Sequence, residues 1–219
     1  MDRQAWPLVA PFLLFELLLV VESWFPDHHY LLYPVKTVIV GALILWYGKS
    51  LPDLRPSRLW LSILVGILGV VLWIGLDPYL VRYDQPLLGR NPFQLYPAGE
   101  AWLLFAFRVV GIALIVPVME ELFWRAFLMR WLISENFTQV PLGTYRPFSF
   151  LATTACFAAV HGEEWPLAVI VGLLYGAWFV RTKNLGNIIA AHAATNFLLI
   201  FYSLASDDWH FISRIAPAK

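Results

Sequence analysis

Long apolar runs alternate with short polar stretches along nearly the whole chain. Seven apolar segments lie at residues 7–24, 31–47, 59–76, 101–118, 148–162, 166–181 and 187–204. The fourth continues as a helical pattern to about residue 133. Most approach the ~20 residues that an α-helix needs to cross the core of a bilayer. The pattern therefore predicts an all-α fold, a polytopic transmembrane bundle of about seven to eight helices.

The composition supports a membrane protein and argues against a soluble domain and against a nucleic-acid-binding protein. Of 219 residues, 60% are hydrophobic and 14% are charged, whereas about 25% are charged in soluble domains. The formal net charge is zero, so no basic surface indicates a nucleic-acid partner, and membrane lipid is the expected surrounding. No internal repeat is visible. We expect one integral membrane domain over residues 1–219.

The lysines and arginines between the segments predict the orientation, because cationic loops favour the cytoplasmic side. A cytoplasmic N-terminus in the cell membrane would place eight of them inside: Arg3, Lys49, Arg55, Arg58, Arg130, Arg146, Arg181 and Lys183. Four would lie outside: Arg82, Arg90, Arg214 and Lys219. This bias favours a cytoplasmic N-terminus.

The stretch PVMEELFWRAFL places three ionisable side chains in apolar surroundings. Such groups in a spanning helix cost roughly 2.5–3.5 kcal/mol each on insertion scales and are functional candidates by default. Glu121 and Arg125 are four residues apart, in the order that favours a helical ion pair. Glu120 is turned about 100° from Glu121 and lacks a local cation. Pro117 removes a backbone donor and is expected to open space beside Glu120. The alternative is a solvated charge cluster at the membrane edge.

Two further apolar segments carry polar residues at helical spacing. Phe157 and His161 share one face in CFAAVHG, and His192 and Asn196 share one in HAATNF. Alternatively, His161 is an interfacial residue at a helix end, and the other two join helices by hydrogen bonds worth about 0.6 kcal/mol. With a rise of about 1.5 Å per residue, the three motifs lie at roughly comparable depths. This placement allows a shared cavity.

In this order, Glu-Glu-x-x-x-Arg, Phe-x-x-x-His and His-x-x-x-Asn resemble the motifs of the CPBP family. These are the CAAX-protease and bacteriocin-processing proteins, also called Abi proteins. Each motif alone is short, but all three are complete here, on the continuation of the fourth apolar segment and on the fifth and seventh. The resemblance covers residues from about 101 to 204, and the chain looks like the bacterial branch related to CAAX prenyl proteases.

The resemblance implies an intramembrane endopeptidase. In such an enzyme Glu120 would be the general base that activates water, assisted by His161. His192 and Asn196 would bind the oxyanion of the tetrahedral intermediate. These roles are chemically compatible, because amide hydrolysis needs a nucleophile, a base and donors aimed at developing negative charge.

The resemblance gives the other three motif residues supporting roles. Glu121 and Arg125 would hold the local geometry, and Phe157 would line the pocket. The substrate would be a membrane-associated peptide or lipidated protein, and the sequence leaves open whether it is prenylated or C-terminally tagged.

Water is the favoured nucleophile. No serine lies in a Gly-x-Ser-x-Gly turn, and Cys156 lies five residues before His161 on a poorly matched face. Two histidines and a glutamate can form a zinc site with an open position. The His-Glu-x-x-His signature of zinc proteases is absent, however. We favour metal-free catalysis with no cofactor and keep a zinc-dependent version as the alternative.

Two functions of other classes remain open at this point. One is a non-catalytic membrane scaffold or maturation partner that retains the family fold. The other is a transporter or proton relay built on the same buried carboxylate. The lack of an inverted repeat counts against a transporter.

Overall fold

The computed structural model describes residues 3–25, 28–81 and 91–212, and no strand occurs within these ranges. Eight helices occur in them: α1 (Trp6–Ser23), α2 (His29–Trp46), α3 (Leu59–Leu80), α4 (Pro92–Leu95), α5 (Ala98–Trp131), α6 (Pro147–Ala159), α7 (Trp165–Thr182) and α8 (Leu185–Ser206). This architecture confirms the predicted all-α bundle. The predicted segment ends agree with the helix ends to within four residues.

Six helical stretches are long and apolar enough to cross a membrane. They are α1, α2, α3, α5, α8 and the stretch Gly162–Thr182, which joins a short 3₁₀ turn to α7. The chain is therefore a multi-pass membrane protein.

The fifth predicted segment, residues 148–162, is shorter in the structure than the sequence indicates. Helix α6 has 13 residues and ends at Ala159, so it is only about 20 Å long. That length falls short of a hydrocarbon core of about 30 Å. The chain turns at Gly162, where a positive φ of 58° suits glycine.

The orientation stays a prediction. The predicted side of the residues after α6 assumed that this segment crosses the whole membrane. Because α6 is short, that assumption loses its support. The four cations expected outside, Arg82, Arg90, Arg214 and Lys219, lie outside the described residues.

Burial is distributed as expected for a protein in lipid. Large apolar side chains lie on the outer surface, among them Trp46, which is 83% exposed, and Leu45, which is 81% exposed. Several charged side chains are instead fully enclosed, and Glu121 is 0% exposed. Lipid tails solvate apolar side chains, while charges need partners inside the protein.

Helices α3 and α8 pack closely because small residues lie at their crossing. A Cβ added at Gly66 would lie 2.4 Å from the carbonyl oxygen of Ala191 and 2.7 Å from the Cβ of Ala194. Thr195 of α8 donates its hydroxyl to the Gly66 carbonyl at 2.7 Å. Close approach through small residues replaces the hydrophobic driving force that lipid does not supply. The crossing holds α8, and thus His192 and Asn196, in position.

The close crossing predicts that Gly66→Ala destabilises the bundle by about 1–3 kcal/mol, because the added methyl group meets backbone. Gly75→Ala in the same helix is the matched control, since nothing lies within 4 Å of its added Cβ. Thermal unfolding in detergent measures both variants. Equal melting temperatures for the two would contradict the close packing.

Candidate active site

A cavity of about 490 Å³ opens between the helices, and all four predicted catalytic residues line it. Glu120 comes from α5, His161 from the turn after α6, and His192 and Asn196 from α8. Phe157 of α6 also lines the cavity. The structure thus brings together side chains that are up to 76 positions apart in the sequence.

Pro117 shapes the segment of α5 that precedes Glu120. The five residues before Val116 form a π-helical turn, in which the N–H of Val116 donates to the carbonyl of Gly111. In an α-helix that N–H would donate to Ile112, and Pro117, next in the chain, has no N–H to offer. The carbonyl of Ile112 is instead satisfied by the side-chain amide of Asn196, with an N···O distance of 2.9 Å.

This bond fixes how Asn196 faces the cavity. One N–H of its amide is held on α5, which leaves the second N–H as the donor available to a ligand. Pro117 therefore acts on the site through the Ile112 carbonyl, which it leaves without a backbone donor. Helix α5 continues past Pro117 to Trp131.

Glu121 is the centre of a buried charge network. Its Oε1 lies 2.9 Å from Nδ1 of His192, and its Oε2 lies 3.4 Å from Nε of Arg125. The Arg125 guanidinium also lies over the Phe157 ring, 5.5 Å from the centroid. Glu121 and Arg125 do not line the cavity among the described residues, so they support it from behind.

The contact with Glu121 decides the chemistry of His192. A carboxylate only accepts hydrogen bonds, so Nδ1 of His192 carries the proton. In a neutral ring the lone pair is then on Nε2, which is an acceptor. His192 can therefore donate to an oxyanion through Nε2 only as an imidazolium.

His161 is fixed by a similar contact. Its Nδ1 lies 2.6 Å from the carbonyl oxygen of Phe157, one helical turn earlier. The carbonyl can only accept, so the neutral ring again carries its proton on Nδ1 and its lone pair on Nε2. The ring packs against Phe157 at 4.4 Å and Trp73 at 5.9 Å between centroids. His161 can thus accept a proton on Nε2.

Glu120 lines the cavity, whereas its neighbour Glu121 does not. It is 8% exposed, and its Oε2 has no hydrogen-bond partner among the described residues. An unpaired carboxylate oxygen at the wall of a cavity is unusual, because leaving such a group buried and unsatisfied costs free energy. Glu120 therefore presents an unpaired carboxylate oxygen to the cavity.

Comparison with known protein families identifies the part of the chain that carries the three motifs. Residues 101–198 match the family model described as type II CAAX prenyl endopeptidase Rce1-like. The matched stretch is 98 of the 219 residues, and it supports the resemblance to the CAAX-protease (CPBP) family. No curated protein and no solved structure matches the chain.

The match supports the function of a CAAX-type intramembrane protease in general terms. The match contains the three motifs that carried the resemblance. It does not test the role of any single residue, the metal dependence or the bacterial branch, which stay predictions.

Sequence reasoning missed two residues of this candidate site. The hydroxyl of Tyr175 donates to Thr195 at 2.7 Å, and its ring lies 5.2 Å from that of His192. Trp73 of α3 forms the wall beside His161. Aromatic residues are common in spanning segments, so no sequence signal marked these two.

Sequence reasoning also undercounted the ionisable residues inside the spans. Only the three motifs were considered, yet Glu22, Lys36 and Arg108 are buried in α1, α2 and α5. The rule that marked Glu120 would have marked them too. Lys36 and Arg108 line the same cavity.

Among the described residues, the side chains that could bind a metal ion do not converge on one point. In the described ranges no group of three His, Cys, Asp or Glu side chains is placed to hold a metal ion. The donor atoms that do meet, on Glu121 and His192, already satisfy each other. The metal-free mechanism stays a prediction.

The network predicts that Arg125→Met costs about 3–5 kcal/mol of unfolding free energy, because it leaves the buried Glu121 carboxylate short of its cation. Arg181→Met is the matched control: Arg181 is exposed at the end of α7, so its loss should cost less than about 0.5 kcal/mol. Denaturation in mixed micelles measures both. Similar small losses would show that the ion pair does not stabilise the fold.

Proposed function

We propose that this protein is an intramembrane endopeptidase that hydrolyses a peptide bond of a membrane-associated substrate with water activated by Glu120. The observation that carries the proposal is the unpaired Oε2 of the Glu120 carboxylate on the wall of the cavity that His161, His192 and Asn196 also line. The family match supports peptidase activity in general.

The reaction can be written with these groups alone. Glu120 takes a proton from water, and the water oxygen attacks the carbonyl carbon, whose oxygen becomes the oxyanion. The C–N bond then breaks, and the proton held by Glu120 passes to the departing nitrogen. One water is consumed, and a new carboxyl and a new amine are formed.

Asn196 is the neutral oxyanion donor in this proposal. Its second amide N–H is available, and the bond to Ile112 holds it in place before substrate binds. Donors fixed in advance cost no reorganisation when the charge develops. His192 adds a second donor in its imidazolium form, paired with Glu121.

His161 assists Glu120 in the same scheme. With Nδ1 held by the Phe157 carbonyl, Nε2 is the nitrogen that accepts a hydrogen bond from the attacking water. Two acceptors on one water orient its lone pair towards the substrate carbonyl.

The substrate and location are proposed as follows. The substrate is a peptide or lipidated protein, prenylated or C-terminally tagged, that reaches the cavity from the membrane. The protein lies in the cell membrane with its N-terminus in the cytoplasm, as the cationic loops favour. We propose no cofactor.

We expect Glu120→Gln to lower kcat by about 10²–10⁴-fold, because the amide cannot take the proton from water. Cleavage of fluorogenic peptides by the purified protein in detergent, with and without a prenyl group, measures this. Glu163→Gln is the matched control, since Glu163 is exposed close to His161 but is not part of the cavity wall.

The same assay separates the alternatives. Full activity of Glu120→Gln would remove Glu120 from the mechanism. Loss of wild-type activity with a chelator, restored by zinc, would replace the metal-free mechanism by the zinc-dependent one. If the wild type cleaves no peptide, while the wild type and the variants all still bind a partner protein, the result would favour the non-catalytic membrane scaffold.

Asn196→Ala should lower kcat by about 10²–10³-fold through the loss of an oxyanion donor. KM should change far less, because the donor acts mainly in the transition state. Asn136→Ala on an exposed turn is the control for the loss of an amide. A change confined to KM would assign Asn196 to substrate binding instead.

A further inference from the structure

A chain of hydrogen bonds beside His192 joins three helices. The hydroxyl of Tyr175 on α7 lies 2.7 Å from Oγ1 of Thr195 on α8, and that Oγ1 lies 2.7 Å from the carbonyl oxygen of Gly66 on α3. Tyr175 is 1% exposed and Thr195 is 3% exposed, yet both line the cavity. The proposed reaction assigns no role to either residue.

The direction of this chain follows from its last acceptor. Thr195 has a single hydroxyl proton, and the two carbonyls near it, of Gly66 at 2.7 Å and of Ala191 at 3.2 Å, can only accept. Its proton is therefore directed to these carbonyls, and its oxygen accepts the proton of Tyr175. Because the Tyr175 hydroxyl proton is used in this way, any effect of Tyr175 on the reaction must be transmitted by a neighbouring residue.

That neighbour is His192. The ring of Tyr175 lies 5.2 Å from the imidazole between centroids, and the ring of Phe157 lies farther away, at 6.4 Å. The imidazole is also held at Nδ1, which lies 2.9 Å from Oε1 of Glu121. One hydrogen bond fixes one edge of a ring but lets the ring tilt about that bond, which would move Nε2 on the opposite edge. A closely packed neighbouring ring prevents such a tilt.

Helix α3 provides both the anchor and the space for the two hydroxyls. A Cβ added at Gly69 would lie 2.6 Å from Oγ1 of Thr195 and 3.3 Å from the hydroxyl of Tyr175. Gly69 follows Gly66, whose carbonyl accepts the last hydrogen bond, by three residues. In the part of the chain that the structure describes, Gly69 is not part of the cavity wall. A residue outside the cavity thus controls a contact inside it.

We propose that Tyr175 is a positioning residue for His192: its ring sets the tilt of the imidazole, and its hydroxyl, anchored through Thr195 to α3, holds that ring in place. This inference rests on the proposed function, in which Nε2 of the His192 imidazolium donates to the oxyanion. Such a donor must lie about 2.7–3.1 Å from the place where the charge develops, and a displacement of ~1 Å can lower the rate about 10²-fold. Tyr175 thus acts on the rate without touching the reacting atoms.

Removing the ring should lower kcat and leave KM nearly unchanged. We expect Tyr175→Leu to lower kcat about 10- to 100-fold, because Nε2 of His192 loses its fixed direction and the oxyanion exists mainly in the transition state. Tyr175→Phe keeps the ring and loses the anchor, so its kcat should fall by roughly 3- to 10-fold, the value of one hydrogen bond. The measurement is cleavage, in detergent, of a fluorogenic peptide that the wild type cleaves.

Phe179→Leu is the matched control for the loss of a buried ring. Phe179 lies one helical turn after Tyr175 in α7 and is 0% exposed, but it is not among the described residues that line the cavity. Per folded molecule, this variant should keep the wild-type kcat and KM.

The chain of hydrogen bonds can also be disturbed from outside the cavity. Gly69→Ala should lower kcat by about the same factor as Tyr175→Phe, because the added methyl group displaces the two hydroxyls. Gly75→Ala in the same helix has nothing within 4 Å of its added Cβ and should keep the wild-type kcat. A wild-type kcat in Gly69→Ala would overturn the anchoring by α3.

A double-mutant cycle separates positioning from a general effect on the fold. It uses two uncleavable analogues of the same peptide, in which a phosphinate (a tetrahedral anion) or a neutral alkene replaces the scissile amide. The ratio of their dissociation constants reports oxyanion binding and is independent of the folded fraction. Tyr175→Leu should reduce the preference for the phosphinate about 10- to 100-fold in the wild-type background, but less than about twofold in His192→Ala.

The outcomes separate this inference from the proposed function. An unchanged kcat in Tyr175→Leu, from a wild type that cleaves, would overturn this inference alone. So would a loss confined to KM, or an equal loss of phosphinate preference in both backgrounds, because Tyr175 would then act on substrate binding or on the fold. Cleavage by a wild type without phosphinate preference would overturn the oxyanion role of His192 and this inference with it. If the wild type cleaves no peptide, the proposed function and this inference fail together.

Discussion

The buried carboxylate of Glu121 is the constraint on which the site depends. It is fully enclosed, and it is held by Arg125 on its own helix and by His192 on α8. A charge in this position is tolerable only while both partners stay in place. The ion pair therefore ties α5 to α8, and it sets the tautomer of the histidine that faces the cavity. The same carboxylate thus determines both the packing of α5 against α8 and the tautomer of His192.

The membrane explains why so much of the interior is polar. Lipid solvates apolar side chains as well as a protein core does, so burial of apolar surface contributes little to bringing spanning helices together. The helices associate through small residues such as Gly66 and through polar contacts such as Tyr175 with Thr195. A cavity lined by carboxylate, imidazole and guanidinium groups is the result.

A backbone irregularity positions the proposed oxyanion donor. The π-helical turn before Val116 leaves the Ile112 carbonyl without a backbone donor, since Pro117 has no N–H. Asn196 supplies the missing donor from another helix. The π-helical geometry allows α5 to carry a proline without breaking, and the unsatisfied carbonyl becomes a fixed point for a side chain. Such turns occur frequently at functional sites.

The sequence by itself determined the fold class, the helix positions and the resemblance to a protease family, because hydropathy over ~20 residues and motifs at helical spacing are local properties. It also marked Glu120, His161, His192 and Asn196 as candidates, since an ionisable or strongly polar residue in a span is rarely without a role. Only the tertiary structure decided which of these groups meet. Partner choice depends on helix packing and rotation, which spacing along one helix does not encode. That is why the link from Glu121 to His192 and the bond from Asn196 to Ile112 emerged only when the helices were assembled.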